Sequence, residues 1–255
     1  MTELYVSEHG AGETRSLIVL IHGSMDRSSA FARVQRHLQG LHVVRYDRRG
    51  SGRATALGPA ATFSVQVDDL AVVLDGRPAV LVGHSSGGVV ALGLAQRAPE
   101  LVRAVVAYES PMAWAPWWPS DSAGGRALAV GTSAEDAAEG FMRRMIGDER
   151  WERLPPRTRA ARRAEGPALI ADLRQIRDAA NPPDDPATIS VPVVAAHGAE
   201  SSAHHQQTAR TLAAEVPGAE LEVVVGARHG IHLTHPAALA GLARRALARA
   251  DDATT

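Results

Sequence analysis

The sequence predicts an α/β protein in which helices flank a mostly parallel central sheet. Two observations support this fold class. First, short apolar runs alternate along the chain with stretches whose apolar residues recur every three or four positions, as strands and helices do when they follow each other. Second, the apolar run 79–82 leads through Gly-His-Ser-Ser-Gly straight into a small apolar helical stretch. With 255 residues, of which 45% are hydrophobic, the chain can bury a full core.

These patterns predict six strands and five helices. The strands are Leu17–Ile21, His42–Tyr46, Ala79–Val82, Arg103–Ala107, Val191–Ala196 and Leu221–Val225. The helices are Ser29–Leu38, Val65–Leu74, Gly87–Arg97, Gln206–Glu215 and Pro236–Ala248. Between the fourth and fifth of these strands the chain has helical character and no clear strand, over a connection far longer than usual. We therefore expect residues 111–187 to form a helical cap on a core made of residues 1–110 and 188–255.

Composition and charge exclude several classes of protein. The formal net charge is −1, whereas binding to nucleic acid requires a clustered basic surface. The chain has no cysteine, so it can form neither a disulfide nor a thiolate metal site. The first residues, Met1–Tyr5, lack the basic and apolar regions of a signal peptide, and no apolar run is long enough to span a membrane. We expect a cytoplasmic protein without nucleic-acid or membrane partners, metal or cofactor, whose oligomeric state is open.

Ser85 is the candidate nucleophile. It lies at the centre of Gly-x-Ser-x-Gly, between the apolar strand 79–82 and the helix that begins near Gly87. This sharp turn leaves no room for a side chain at Gly83 or Gly87, and it exposes the serine hydroxyl for attack on a carbonyl. The motif alone occurs by chance in glycine-rich loops, but here the strand before it and the helix after it are both predicted.

Four motifs in this order resemble those of the α/β-hydrolase family, over nearly the whole chain. They are His22-Gly23 after the first strand, the turn Tyr46–Gly52, the Ser85 elbow, and Gly226-Ala227-Arg228-His229 near the C-terminus. The resemblance implies the family's sheet with a helical cap inserted after its sixth strand, and the activity of a serine hydrolase. It also places the catalytic histidine at His229, because the family's order is serine, acid, histidine. A metal site built from His229 with His232 and His235 is the less favoured interpretation, since no carboxylate with matching spacing accompanies them.

The acid that orients the histidine departs from the commoner family pattern. That pattern has an aspartate three residues after the glycine that ends the strand 191–196, and the chain has Ser201 at this position. The family's other location is the end of the strand before the cap, where this chain has Glu109, as in haloalkane dehalogenases. We favour Glu109 over the alternative acid Glu200, and a site without an acid stays open.

The oxyanion donors and the substrate pocket are assigned by position. The resemblance implies that the backbone N–H groups of Ser24 and Ser86 stabilise the oxyanion. Trp114, Trp117 and Trp118 follow closely after Glu109 and, with Met25 and Met112, predict an apolar pocket. The tryptophans could equally fasten the cap to the core. Asp47, Arg48 and Arg49 are interpreted as bracing their loop. His204 and His205 are interpreted as the exposed start of a helix.

The sequence thus predicts a serine hydrolase that acts on an ester, lactone or related acyl compound with a largely apolar body. Carbon–carbon bond hydrolysis and cofactor-free perhydrolysis would use the same three side chains and stay open. A third alternative belongs to another class: a catalytically silent scaffold that binds a small ligand under its cap. The intact serine and histidine motifs argue against this last interpretation, and the missing aspartate argues for it.

Overall fold

The computed structural model of the protein describes residues 4–12, 16–129, 131, 133–181, 183 and 185–253. Met1–Glu3, on which the expectation of no signal peptide partly rests, lie outside these residues. Within the described ranges, no helix is both long enough and apolar enough to cross a membrane.

Seven strands form one sheet in the order β1-β3-β2-β4-β5-β6-β7. Their bounds are β1 Val6–His9, β2 Leu17–Ile21, β3 His42–Tyr46, β4 Ala79–His84, β5 Val102–Tyr108, β6 Val193–Gly198 and β7 Glu220–Val224. Strand β1 pairs antiparallel with β3, and every other neighbouring pair is parallel. The predicted fold class is confirmed.

All six predicted strands are present, with shifts at their ends. Strand β4 continues to His84 because its partner β5 continues to Tyr108, and these two residues face each other in the register. Strand β6 begins at Val193 rather than at Val191. Pro192 lies between them and has no N–H to donate to a neighbouring strand. The short edge strand β1 was not predicted.

The helices are α1 Ala32–Arg36, α2 Phe63–Leu74, α3 Ser86–Arg97, α4 Ala123–Ala127, α5 Ala134–Ile146, α6 Asp148–Glu152, α7 Pro156–Ala164, α8 Gly166–Arg177, α9 Ala203–Glu215, α10 Ile231–Thr234 and α11 Pro236–Asp252. The predicted helix Ser29–Leu38 is wrong in its form, because a 3₁₀ turn Ser28–Phe31 precedes the five-residue α1. Helices α4 to α8 all lie between β5 and β6. We call these five helices the inserted segment; the division of the chain into a core and a cap stays a prediction.

The core lies on both faces of the sheet because side chains alternate along each strand. On β2, for example, Leu17, Val19 and Ile21 belong to one buried cluster, which extends to α2, α3 and the inserted segment. Ile18 and Leu20 belong to the other, which includes residues of α1 and α11. The parallel strands all end at one edge of the sheet, where the loops that carry candidate functional residues meet.

Candidate active site

Ser85 occupies a strained turn between β4 and α3. Its backbone has φ 54° and ψ −129°, a left-handed conformation that is uncommon for a residue with a side chain. The turn requires glycine on both sides, because a Cβ on Gly83 would lie 2.3 Å from Cα of Gly88. A Cβ on Gly87 would lie 2.4 Å from the carbonyl oxygen of Ile21. These contacts agree with the physical reason inferred from the sequence.

Glu109 and His229 form a close pair at the same edge of the sheet. Glu109 follows β5, and its Oε2 lies 2.7 Å from Nδ1 of His229, in the loop between β7 and α10. The side chain of Glu109 is fully buried, and its other oxygen accepts a 2.9 Å hydrogen bond from the N–H of Gly198 and another from the hydroxyl of Ser201. Ser201, which stands where the commoner family acid would be, thus holds the carboxylate of Glu109.

Glu109 is an anion in this setting. Burial alone would raise the pKa of its carboxyl group, but hydrogen bonding and charge from His229, with hydrogen bonds from Gly198 and Ser201, lower that pKa below its usual range. Because the carboxylate accepts the proton on Nδ1, the lone pair of a neutral His229 imidazole is on Nε2. The alternative acid Glu200 points elsewhere: its carboxylate is half exposed and lies 3.1 Å from Nε of Arg228.

Ser85 and His229 line one cavity of about 340 Å³. Among the hydrogen bonds of the described residues there is none between the Ser85 hydroxyl and the imidazole of His229, a contact that often forms only when substrate is bound. The backbone of His229 is held by His84, whose Nε2 donates to the carbonyl oxygen of His229 over 2.7 Å. Burial lowers the pKa of His84 well below its usual value, so this side chain is neutral. His84 therefore supports the loop of His229 with a neutral ring.

The two residues chosen as oxyanion donors lie side by side. Ser24 follows β2, and Ser86 is the first residue of α3, where the helix leaves N–H groups without partners in its own backbone. Their hydroxyl groups are 3.0 Å apart. The positive end of the α3 dipole favours negative charge at this place. The arrangement provides an electropositive backbone beside Ser85.

The cavity wall comes mainly from the inserted segment and the loop before it. Apolar side chains lining it include Trp114, Trp118, Leu128, Phe141, Met145, Leu173 and Ile176. Three residues predicted for this pocket lie elsewhere. Met112 and Met25 are buried in the core, Met25 lining a separate small pocket, and the Trp117 residue is 39% exposed. None of the three lines this cavity, because proximity in sequence does not decide which way a loop side chain turns.

The sequence reasoning missed two histidines of the cavity. His204 and His205 line it rather than forming an exposed helix start. The ring of His205 stacks on that of His229, with centroids 4.4 Å and planes 11° apart, and its Nδ1 lies 3.3 Å from Oε2 of Glu109. Burial, together with the neighbouring histidines, keeps the pKa of His205 well below its usual value. The sequence did contain one indication of their role: both histidines follow shortly after β6, which ends at the same edge of the sheet as β4 and β5.

Two groups of side chains have ligand atoms close enough to hold a metal ion. One is Glu109, His205 and His229; the other is Asp26, His84 and His232. In the first group Nδ1 of His229 carries the proton that it donates to Glu109, so this nitrogen has no lone pair to offer a metal ion in the arrangement seen. In the second, Nε2 of His232 lies 3.0 Å from the carboxylate of Asp26, so these two ligand atoms already contact each other. The expectation of no metal stays a prediction.

The fold and the elbow define a protein of the hydrolase class with a serine at the turn after the central strand. A family model described as the alpha/beta hydrolase family matches residues 18–242, and the chain belongs to this family. The resemblance inferred from the four motifs is thereby confirmed.

Relatives in sequence match part of the chain. Lipase LipV of Mycobacterium tuberculosis is 34% identical over 115 residues, which cover 44% of this chain and 43% of that protein. The (E)-2-((N-methylformamido)methylene)succinate hydrolase of Acinetobacter baylyi is 32% identical over 100 residues, covering 38% and 37% of the two chains. The chain therefore spans about two fifths of the length of these relatives.

Solved structures resemble nearly the whole fold. A hydrolase from Pseudomonas aeruginosa superimposes with a TM-score of 0.76 at 24% identity, covering 96% of this chain and 94% of that one. The enol-lactonase from Burkholderia xenovorans gives a TM-score of 0.74 at 22% identity, covering 96% of both chains. At these identities the likeness supports the fold.

Proposed function

We propose that the protein is a serine hydrolase that cleaves an ester, lactone or related acyl compound with a largely apolar body. The observation that carries the proposal is the contact of 2.7 Å between the buried Glu109 carboxylate and His229, in a loop that shares a cavity with Ser85. A carboxylate that binds Nδ1 directs the basic nitrogen of the imidazole away from itself, as general-base catalysis by histidine requires. The relatives named lipase and enol-lactonase support the same substrate class.

In the proposed reaction, Nε2 of His229 takes the proton of the Ser85 hydroxyl as Oγ attacks the acyl carbon. The resulting oxyanion is stabilised by the N–H groups of Ser24 and Ser86, and Glu109 stabilises the imidazolium. Protonation of the leaving oxygen by His229 gives an acyl-enzyme on Ser85. A water molecule, activated by the same imidazole, then frees the acid. The three side chains follow β4, β5 and β7, whose carboxyl ends meet at one edge of the sheet.

The apolar cavity supports a substrate with a hydrocarbon body. Its volume of about 340 Å³ suits a small or medium acyl compound, and its wall is formed largely by the aromatic and aliphatic side chains named above. A small-molecule partner, no required cofactor and a cytoplasmic location belong to this proposal.

The experiment that tests the proposal combines a fluorophosphonate probe with p-nitrophenyl esters of increasing acyl length. The protein is expected to gain one probe adduct on the peptide that contains Ser85, and to turn over the shorter esters. Ser85→Ala should lose both labelling and turnover, with kcat reduced on the order of 10⁴-fold or more. Ser64→Ala, on the exposed face of α2, is the matched control and should keep both. A folded wild-type protein that neither labels nor hydrolyses any ester would support the silent scaffold instead.

A further inference from the structure

The hydroxyl groups of Ser24 and Ser86 both contact a buried ion pair between Arg48 and Asp172, of which only Arg48 was singled out in the sequence, as bracing its loop. Ser24 Oγ donates to Oδ2 of Asp172 over 2.5 Å, and Nη1 of Arg48 donates to Ser86 Oγ over 2.8 Å. The pair closes the ring, since Nη2 of Arg48 lies 2.7 Å from Oδ1 of Asp172. Gln66 donates to the same Oδ1 over 3.1 Å. Both charged side chains are more than nine-tenths buried.

This network ties together segments that are far apart in the chain. Arg48 lies in the loop after β3, and Asp172 lies in α8 of the inserted segment, 124 positions later. Arg48 also fixes the loop that carries Ser24, because its backbone N–H donates to Nε2 of His22 over 2.8 Å. Its guanidinium contacts the carbonyl oxygen of His22 at 3.3 Å. One buried cation therefore contacts both strand-end segments from which the oxyanion donors come.

The charges of the pair depend on each other. Burial alone would raise the pKa of Asp172, but the charge and hydrogen bonds of Arg48, with those of Ser24 and Gln66, lower it below the usual range. A lone carboxylate at this depth would oppose a negative charge forming on the substrate nearby, and the guanidinium compensates for it. The side chains of Ser24 and Ser86 thus lie beside a pair of opposite charges that balance each other, and the hydrogen bonds to this pair fix their positions.

We propose that Arg48 and Asp172 are positioning residues that hold the N–H groups of Ser24 and Ser86 in the oxyanion hole, so that the docking of α8 completes the site. This inference rests on the proposed function, because it assigns these two N–H groups to the oxyanion. It extends that function by giving the inserted segment a part in the chemical step as well as in the wall of the cavity. The oxyanion exists only in the tetrahedral state, so misplaced donors reduce kcat and leave the ground-state complex nearly unchanged.

The test measures kcat and KM for p-nitrophenyl butyrate, and the inhibition constant of an alkyl trifluoromethyl ketone, which forms a tetrahedral adduct with a serine. Asp172→Asn is expected to lower kcat roughly 10- to 100-fold with KM within about twofold. The inhibition constant should rise by the same factor as kcat falls. In the variant Arg48→Lys the charge stays but the two-pronged contact with Asp172 is lost, so the same pattern is expected.

The matched control is Asp69→Asn. It breaks the ion pair with Arg49, in the same loop after β3 and also 2.7 Å long, but it touches neither Ser24 nor Ser86. This variant should keep kcat within about twofold of the wild type. An equal fall of kcat in Asp69→Asn and Asp172→Asn, or a fall in affinity for butyrate ester alone, would overturn the inference.

Smaller variants cover the case in which Asp172→Asn does not fold. Ser24→Ala and Ser86→Ala each remove one link to the pair while keeping the backbone N–H, and each should lower kcat several-fold with KM unchanged. If both keep the kcat and the ketone affinity of the wild type, the pair does not position the donors. Fluorophosphonate labelling separates this failure from failure of the proposed function: an inactive, unlabelled wild type contradicts the function, whereas an active, labelled wild type with unaffected variants contradicts only the positioning role.

Discussion

Glu109→Gln tests the assignment of the acid most sharply, because the structure determines how the new amide would be oriented. The N–H of Gly198 and the hydroxyl of Ser201 both donate to Oε1. The amide oxygen of a glutamine would occupy that side, where it can accept both hydrogen bonds. Its NH₂ group would then face Nδ1 of His229, in place of an oxygen that lies 2.7 Å away. Two NH groups cannot face each other, so the imidazole must present its lone pair on Nδ1 and carry its proton on Nε2.

The wrong tautomer cannot accept the proton of Ser85, and the charge that stabilised the imidazolium is also gone. We expect kcat for p-nitrophenyl butyrate to fall roughly 10³- to 10⁴-fold, which corresponds to about 4 to 5.5 kcal/mol in the activation barrier. KM should change little, because the carboxylate is fully buried behind the histidine. The assay follows nitrophenolate release under saturating substrate, with circular dichroism and thermal melting to establish that the variant is folded.

Glu200→Gln is the control for Glu109→Gln. Its carboxylate is half exposed and pairs with Arg228 at the surface, so kcat should stay within about twofold of the wild type. The reasoning is refuted if folded Glu109→Gln keeps kcat within about fivefold of the wild type. Were Glu200→Gln then the inactive variant, the acid would lie after β6; were both active, the site would work without an acid.

Three further predictions concern the base, the acid limit of stability and the cavity. His229→Ala should lose turnover while a folded His232→Asn keeps most of it, and steady-state kinetics showing the reverse would move the base three residues along. The folded-state pKa of Asp172 is lowered, so its contribution to stability is complete above its unfolded value of about 3.8 and disappears as pH falls through the lower folded value. Melting curves should therefore show that Asp172→Asn has a free energy of unfolding roughly 3–5 kcal/mol lower than that of the wild type near neutral pH. This difference should narrow below pH 4, and a difference that stays constant with pH would contradict the ion pair. Trp118→Ala should raise the ratio of kcat/KM for octanoate over butyrate ester, by up to about fourfold for each methylene the enlarged cavity accommodates, and an unchanged ratio would place the acyl chain elsewhere.

Sequence predicted the strands and the elbow well because their signals are local. A buried parallel strand is a continuous apolar run, and the elbow requires glycines whose close contacts tolerate no Cβ, as at Gly83 and Gly87. Strand β1 lacks such a signal, since its residues Val-Ser-Glu-His lie at the edge of the sheet and are largely exposed. Its pairing with β3 depends on where β3 lies rather than on its own composition.

The candidate acid and His205 show what local sequence patterns cannot predict. The sequence left open whether the acid is Glu109, Glu200 or absent, and both glutamates follow a strand. What separates them is the direction of each side chain at the strand end, which depends on the backbone: Glu109 has φ 48° and faces inward, whereas Glu200 faces solvent. His205 looked like a polar residue at an exposed helix start, and only the packing of α9 beside the loop of His229 buries it.

The ion pair of Arg48 and Asp172 could not have been predicted from the sequence, for a more general reason. A buried guanidinium must have an anionic partner, because leaving it unpaired costs several kcal/mol. That rule would have implied a partner for Arg48 had its burial been known, yet the chain offers 28 acidic residues and no spacing rule that selects one 124 positions away. The choice is made by topology: the inserted segment leaves the sheet after β5, and α8 contacts both α2 and α3, so Asp172 comes to the place where Arg48, Gln66 and Ser86 converge. The residues that the insertion contributes to the cavity wall are therefore apparent only in the folded structure, whereas the candidate nucleophile Ser85 can be recognised from its sequence motif.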